Sequence, residues 1–340
     1  MRKKLFRAAT LFICHLLLLS LFSCGEDVKN TKTVFAMDTV MTLTAYGKDT
    51  SAALDTAAKT IRELDKKLSY SGKESEVYKL NSSGGKPVKA DDDLLTPLKV
   101  SLDVSEKSGG ALDVTVFPVV KAWGFISKEY TVPTDNKLAS LLKNVDWSSV
   151  KISEDSVSVP ENAEIDLGAV AKGYASERAA ETLISKGVKS AVISLGGNVR
   201  TVGTKPDGSK WNVAVVDPTE PGTKTVGTLK LGETSVVTSG GYQRYFEKNG
   251  KRYHHIIDPK TGRPAESGLI SVTVVCDDGT YADALSTALF VLGLDKAMEY
   301  YREYGGFEAV FITDDKKITV TDGLVSAFTV SDDSGFEYAK

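Results

Sequence analysis

Residues 269–293 read LISVTVVCDDGTYADALSTALFVLG. The first part, residues 269–275, is rich in β-branched side chains and predicts a strand. The second, residues 280–292, is strongly apolar and predicts a helix ending at Gly293. Asp283 and Thr287 stand four apart in that helix and so share one face. A carboxylate and a hydroxyl on one face are hard oxygen ligands suited to Mg²⁺. A plainer reading stays open, because Thr280-x-x-Asp283 also has the form of a capping box.

Outward from this stretch the same alternation of strand and helix continues. Residues 34–46 alternate apolar and polar and predict one or two strands. Residues 51–68 carry the 3.6-residue period, with Leu54, Ala57, Ala58, Ile61, Leu64 and Leu68 on one helix face. A second helix is expected over residues 91–108, closed by Gly109-Gly110, and a third over 169–186, with Gly187 as its C-terminal stop. Strands are expected at 188–195, 211–216 and 227–231, a further helix at 294–304, and strands within 307–330. There is no regular βαβ rhythm. The expected class is therefore α+β, with mixed, largely antiparallel sheets and packed helices. No linker divides residues 34–340, which are read as a single domain.

The composition sets limits on function. The chain has 340 residues, a formal charge of −3 and 41% hydrophobic residues. These values exclude a disordered chain, a collagen-like repeat and a polytopic membrane protein. The slightly acidic balance argues against a nucleic-acid partner. Only three histidines are present, which argues against a metal cage built from several of them.

The first residues read differently from the rest. Arg2, Lys3, Lys4 and Arg7 precede an apolar run to Phe22, the pattern of a secretory signal. The run ends Leu21-Phe22-Ser23-Cys24, which resembles the bacterial lipoprotein signal, with Cys24 as the acylated first residue of the mature chain. An uncleaved N-terminal anchor is the alternative. Residues 1–23 are thus read as signal and 24–33 as a flexible tether. Either reading puts the remainder outside the cytoplasm, held to a bacterial membrane. Cys14 would leave with the signal, so Cys276 would remain as the one thiol and no internal disulfide is expected.

Three further stretches invite chemistry. In Asp166-Leu-Gly168-Ala169-Val-Ala-Lys172-Gly173, a cation sits in the first turn of a helix, where the dipole disfavours it unless an anion binds there. Ser194-Leu-Gly196-Gly197-Asn198 could form a phosphate-binding turn or simply a hairpin. His254 and His255 are adjacent, so in an extended segment they face opposite ways. One of them could serve as a general base, or both could be ordinary surface histidines. Asp258-Pro-x-x-Gly262 is a turn by composition.

Taken in order, these segments resemble the ApbE family, the FAD:protein FMN transferases. The matching stretches are Met37-Asp-Thr39, Gly110-Ala-Leu-Asp113-Val-Thr-Val-Phe-Pro118 with Trp123-Gly-Phe125, and DLGAVAKGYA from Asp166. They continue with ISLGGN from Ile193, TSGGYQRYF from Thr238, HIIDPKTGRP from His255 and ADALSTALFVLG from Ala282. The resemblance implies an ApbE-like, T-fold-related architecture and a Mg²⁺-dependent enzyme. FAD is its substrate, and the FMN half passes to a threonine hydroxyl of a target flavoprotein while AMP leaves. Implied targets are subunits of membrane redox complexes, such as the sodium-pumping NADH:quinone oxidoreductase (Nqr) and the Rnf complex. A Mg²⁺-dependent FAD pyrophosphatase and a non-catalytic FAD-binding lipoprotein would use the same pocket.

Carried over by position, the family's metal ligands match the backbone carbonyl of Ala169 and the side chains of Asp283 and Thr287. Some relatives have an acidic residue where this chain has Ser286. FAD contacts match Met37, the Ala111-Leu112-Asp113 turn, Asp166, Lys172 and the backbone of Ile257. A residue near the adenine matches Ser71, or Tyr70 if the loop slips by one. The resemblance favours His255 over His254, so His255 and Asp283 are the expected catalytic residues.

Overall fold

The computed structural model describes residues 28–339. The expected signal, residues 1–23, and the lipidation site Cys24 lie outside them. The first strand, β1 (Lys29–Ala36), pairs along its whole length with β2 (Thr39–Tyr46). This corrects the tether expected over residues 24–33, because residues 29–33 are part of the sheet. The misreading has a physical origin. β1 is an edge strand, and its outward residues Lys29, Thr31 and Thr33 are exposed. Its backbone ladder holds it in place whatever those side chains are, so its sequence is as polar as a linker.

Seven more strands extend this hairpin into one sheet: β3 (Ser190–Leu195), β4 (Asn198–Gly203), β5 (Ser235–Gly240), β6 (Leu269–Cys276), β7 (Glu308–Thr313), β8 (Lys317–Val320) and β9 (Glu337–Tyr338). Their order across the sheet is their order along the chain. Every pairing is antiparallel except the last, β8 with β9. The expected α+β class with largely antiparallel pairing is the observed one.

Five longer helices accompany the sheet: α1 (Ser51–Leu68), α2 (Asp92–Lys107), α3 (Ala171–Ser185), α4 (Gly279–Leu292) and α5 (Leu294–Tyr304). The buried face of α1 consists of the residues its periodicity marked out, together with Ala53. Three-residue steps and the short helices Glu76–Asn81, Phe117–Ala122 and Asp135–Leu141 fill the connections; these were too short to leave a periodic signal.

The middle of the sheet is covered on both faces. Val272, Val274, Ala309 and Phe311 join the large core made with the helices. Val275, Val310 and Ile312 point the other way, under a smaller sheet of Trp211–Val216, Thr225–Leu231 and Phe328–Val330. Two apolar faces explain why residues 269–276 are apolar almost without interruption. A third cluster, including Trp123, Phe125, Phe246 and Ile257, forms an aromatic block beside the main body.

One expectation about α4 needs correction. Its N-cap is Asp278, whose Oδ1 accepts the N–H groups of Thr280 at 2.8 Å and Tyr281 at 3.2 Å. Thr280 is therefore not a cap, and Asp283 is not the far end of a capping box. An aspartate ranks above threonine at this position, and Asp278 precedes the helix by one residue. The Asp283 side chain is left free for another task.

Candidate active site

A cavity of about 1000 Å³ opens where α3 and α4 begin, bounded by the turn joining β1 to β2, the turn joining β3 to β4 and the loop after β5. That volume lies at the upper end for small-molecule sites. Every site residue named from the sequence, Cys24 apart, borders this one cavity. They are Met37, Ser71, Ala111, Leu112, Asp113, Asp166, Ala169, Lys172, His255, Ile257, Asp283 and Thr287.

The floor is built where α3 meets α4. The Asp283 carboxylate is 3% exposed, and its Oδ2 accepts the Gly173 N–H at 2.8 Å. In an unbroken helix that N–H would close a turn onto the carbonyl of Ala169. Among the described residues no backbone N–H donates to that carbonyl, and α3 begins two residues later, at Ala171. The Ala169 oxygen is thus left without a backbone donor, and Ala169 lines the cavity. Gly173 makes the arrangement possible, since a Cβ there would sit 2.1 Å from the Gly279 carbonyl and 2.7 Å from Asp283 Cβ. Thr287 Oγ1 lies 3.3 Å from Ser239 Oγ. Ser286 donates to the Asp283 carbonyl at 2.9 Å and does not border the cavity.

Two cations face these oxygens. Lys172 Nζ stands 3.8 Å from Asp283 Oδ1 and 3.3 Å from the Gly168 carbonyl. Arg244, on the loop after β5, also lines the cavity and donates to the Phe125 carbonyl at 2.8 Å. Its sequence signal is slight, a lone arginine among aromatic residues after Gly240-Gly241. Asp166 lines the same cavity. Burial raises its pKa, and the Gly168 N–H with Arg244 and Lys172 draws it back.

The two histidines separate as an extended segment requires. His254 turns inward, its Nε2 3.1 Å from the Ala265 carbonyl and its ring edge-on to Phe290. His255 faces the cavity, with Nδ1 3.1 Å from the Arg244 carbonyl. A carbonyl can only accept, so Nδ1 carries the hydrogen and Nε2 is left as the acceptor. Burial, and then the Arg244 guanidinium, push the His255 pKa down from 6.5 to about 3.

The opposite rim is the β1–β2 turn. Met37 and Asp38 both have positive φ, 49° and 58°, in a two-residue hairpin of the type that favours Asn-Gly. Asp65 of α1 pins it by accepting the Met37 N–H at 3.0 Å. Gly196 and Gly197 make a second two-residue hairpin, between β3 and β4, which also borders the cavity. Tyr70 and Ser71 both reach the cavity; Tyr70 offers an aromatic face tilted against Phe117 at 5.1 Å. The Asp113 carboxylate is spent on the loop, accepting Thr115 N–H, Thr115 Oγ and Trp147 N–H at 2.8, 2.6 and 3.0 Å.

Comparison with known proteins places these features. The signature of the ApbE family matches residues 37–311. An FAD:protein FMN transferase of Treponema pallidum is 33% identical over 334 residues, covering 91% of this chain and 92% of the relative. One from Klebsiella pneumoniae is 32% identical, covering 82% and 87%. Among solved structures, the ApbE protein of Thermotoga maritima aligns with a TM-score of 0.81 at 29% identity, over 87% of this chain and 98% of that one. The flavin transferase ApbE of Vibrio cholerae aligns with a TM-score of 0.79 at 28% identity, over 88% and 99%.

Proposed function

The chain belongs to the ApbE family, and from that premise we propose that it transfers the FMN half of FAD to a threonine hydroxyl of an acceptor flavoprotein, with Mg²⁺ bound and AMP released. One observation carries the reading: three oxygen donors of different kinds, from Ala169, Asp283 and Thr287, share a cavity with Lys172, Arg244 and an acceptor nitrogen of His255. The donor set fits Mg²⁺. Among the described residues no three His, Cys, Asp or Glu side chains cluster as a metal cage. Mg²⁺ is commonly held by one or two carboxylates together with substrate phosphates, which matches a site with a single carboxylate. Bound there, Mg²⁺ would neutralise charge on the pyrophosphate and polarise the phosphorus under attack.

The protein's own part is to hold and deprotonate. Lys172 and Arg244 hold the phosphates, and the Tyr70 ring with Ser71 lies on the adenine side. Met37, residues 111–113, Asp166 and the Ile257 backbone fix the remainder of FAD. The acceptor hydroxyl is a weak nucleophile until its proton is removed. His255 Nε2 takes that proton, the hydroxyl oxygen bonds to the phosphorus of the FMN phosphate, and the bond to the AMP phosphate breaks. The lowered pKa sets a sign for the pH profile. His255 stays neutral, and able to accept, well below the 6.5 of an ordinary histidine. Hence kcat/KM for FAD should stay flat from about pH 7.5 to 5.5, where a solvent-like base would lose roughly tenfold. A tenfold fall centred near 6.5 would exclude this assignment.

The proposal extends to location. Lipidation at Cys24 would hold the enzyme on the outer side of a bacterial membrane, near acceptor subunits of Nqr or Rnf type. Among the described residues no helix is long and apolar enough to cross a membrane. The deciding experiment incubates the protein with FAD, Mg²⁺ and a candidate acceptor domain, then denatures the mixture on a gel. Flavin fluorescence should remain on the acceptor. Free FMN and AMP with an unlabelled acceptor would favour the pyrophosphatase, and tight FAD binding with no product the storage lipoprotein.

A further inference from the structure

We propose that Glu177 is a positioning residue that locks the start of α4 onto α3, so that Asp283 presents its carboxylate to the cation. The proposal rests on the reading of Asp283 as a metal ligand. Glu177 does not border the cavity, so whatever it does for the site it does through α4.

Its side chain, 18% exposed, is the meeting point of four elements. Oε1 accepts the N–H of Gly279, the first residue of α4, at 2.8 Å, and the hydroxyl of Ser235 at the start of β5 at 2.7 Å. Arg200 of β4, 9% exposed on its side chain, places Nε 3.0 Å from the same oxygen, donates to Oε2 at 3.1 Å and supplies the charge that makes burial of the carboxylate affordable. The Arg200 Nη1 is itself held by the Thr201 carbonyl at 2.6 Å. A carboxylate on the first N–H of a helix is also favoured by the helix dipole.

Gly279 lies one turn before Asp283, so fixing one fixes the other. There is little slack in the fit: a Cβ on Gly279 would stand 2.6 Å from Glu177 Oε1. The Gly173 N–H bond to Asp283 and the Glu177 bond to Gly279 therefore act as two pins between the same two helices, one inside the site and one behind it.

The test uses the full-length protein and Mn²⁺ alone as the probe, followed by electron paramagnetic resonance, with a thermal melt to confirm folding. Glu177→Ala is expected to weaken Mn²⁺ binding about tenfold. Glu177→Gln keeps an oxygen for Gly279 and Ser235 but sets its NH₂ against Arg200 Nε, which donates to Oε2 in the unaltered protein, and should lose about threefold, less than Glu177→Ala. FAD affinity measured without divalent cation should be unchanged in both. Mn²⁺ binding by folded Glu177→Ala equal to the unaltered protein would overturn the proposal, and so would a loss in Glu177→Gln as large as in Glu177→Ala. Should Glu177→Ala fail to fold, Glu177→Asp, which keeps the charge but not the reach, is expected to lose about fivefold, and no loss would overturn the proposal. Asp283→Ala separates the two ideas: if it binds Mn²⁺ normally, the metal-ligand reading itself has failed.

Discussion

Asp283→Ala is expected to lower flavin transfer by at least about 10³-fold in kcat/KM, while the protein remains folded. The expectation follows from the charge on the cavity floor. Asp283 lines the cavity with Ala169 and Thr287, and their carbonyl and hydroxyl cannot replace its charge in holding a divalent cation. Removing one preorganised electrostatic contact commonly costs about 10²–10³-fold, and losing the cation removes more than one. Asp283→Asn is the sharper variant, because its side-chain oxygen can still accept the Gly173 N–H. It should melt near the unaltered protein and still lose most transfer. In-gel flavin fluorescence measures the activity, and retention of more than a tenth of it in Asp283→Ala would exclude the assignment.

The largest effect on stability is expected from Gly173→Ala. The added methyl would meet the Gly279 carbonyl at 2.1 Å, and backbone cannot rotate aside as a side chain can. The helices α3 and α4 must part, which disturbs the core on both and pulls the Gly173 N–H from Asp283. Overpacking costs typically 1–3 kcal/mol, and a clash with backbone belongs at or above the top of that range, about 3 kcal/mol. Urea unfolding measures it. Gly232→Ala is the control: nothing lies within 4 Å of its Cβ, so its change should stay within about 0.5 kcal/mol. Equal stability of the two variants would show that the close approach of α3 and α4 does not bear on folding.

Much of this molecule was legible where one physical signal acted alone. The helix α1 buries the face its period marked, and the strand Trp211–Val216 runs between the residues expected. The lining of the cavity was legible for a different reason, because its residues lie in short collinear segments whose resemblance to a family is specific. What escaped were features set by tertiary contacts. Residues 29–33 pair with β2 although nothing apolar marks them. Thr280 looked like a cap until Asp278 proved to be the residue whose carboxylate reaches the first turn. The burial that lowers the His255 pKa, and the role of Arg244 beside it, depend on the aromatic block folding against the loop after β5. The work of Asp113 within its own loop is likewise visible only once Trp147 is seen beside it.

The agreement between chain order and sheet order bears on how the molecule is assembled in time. From β3 onward each strand meets the segment that follows it, so the sheet can grow by successive local additions. The pairing of β2 with β3 is different, since joining Met41 to Leu195 closes a loop of roughly 150 residues, and that entropy must be met before any contact rewards it. The N-terminal hairpin is thus expected to dock late in folding. Its tip carries Met37 and Asp38, so the rim of the cavity is completed only when the whole chain is present, and a partly folded chain has no complete pocket in which to hold a flavin.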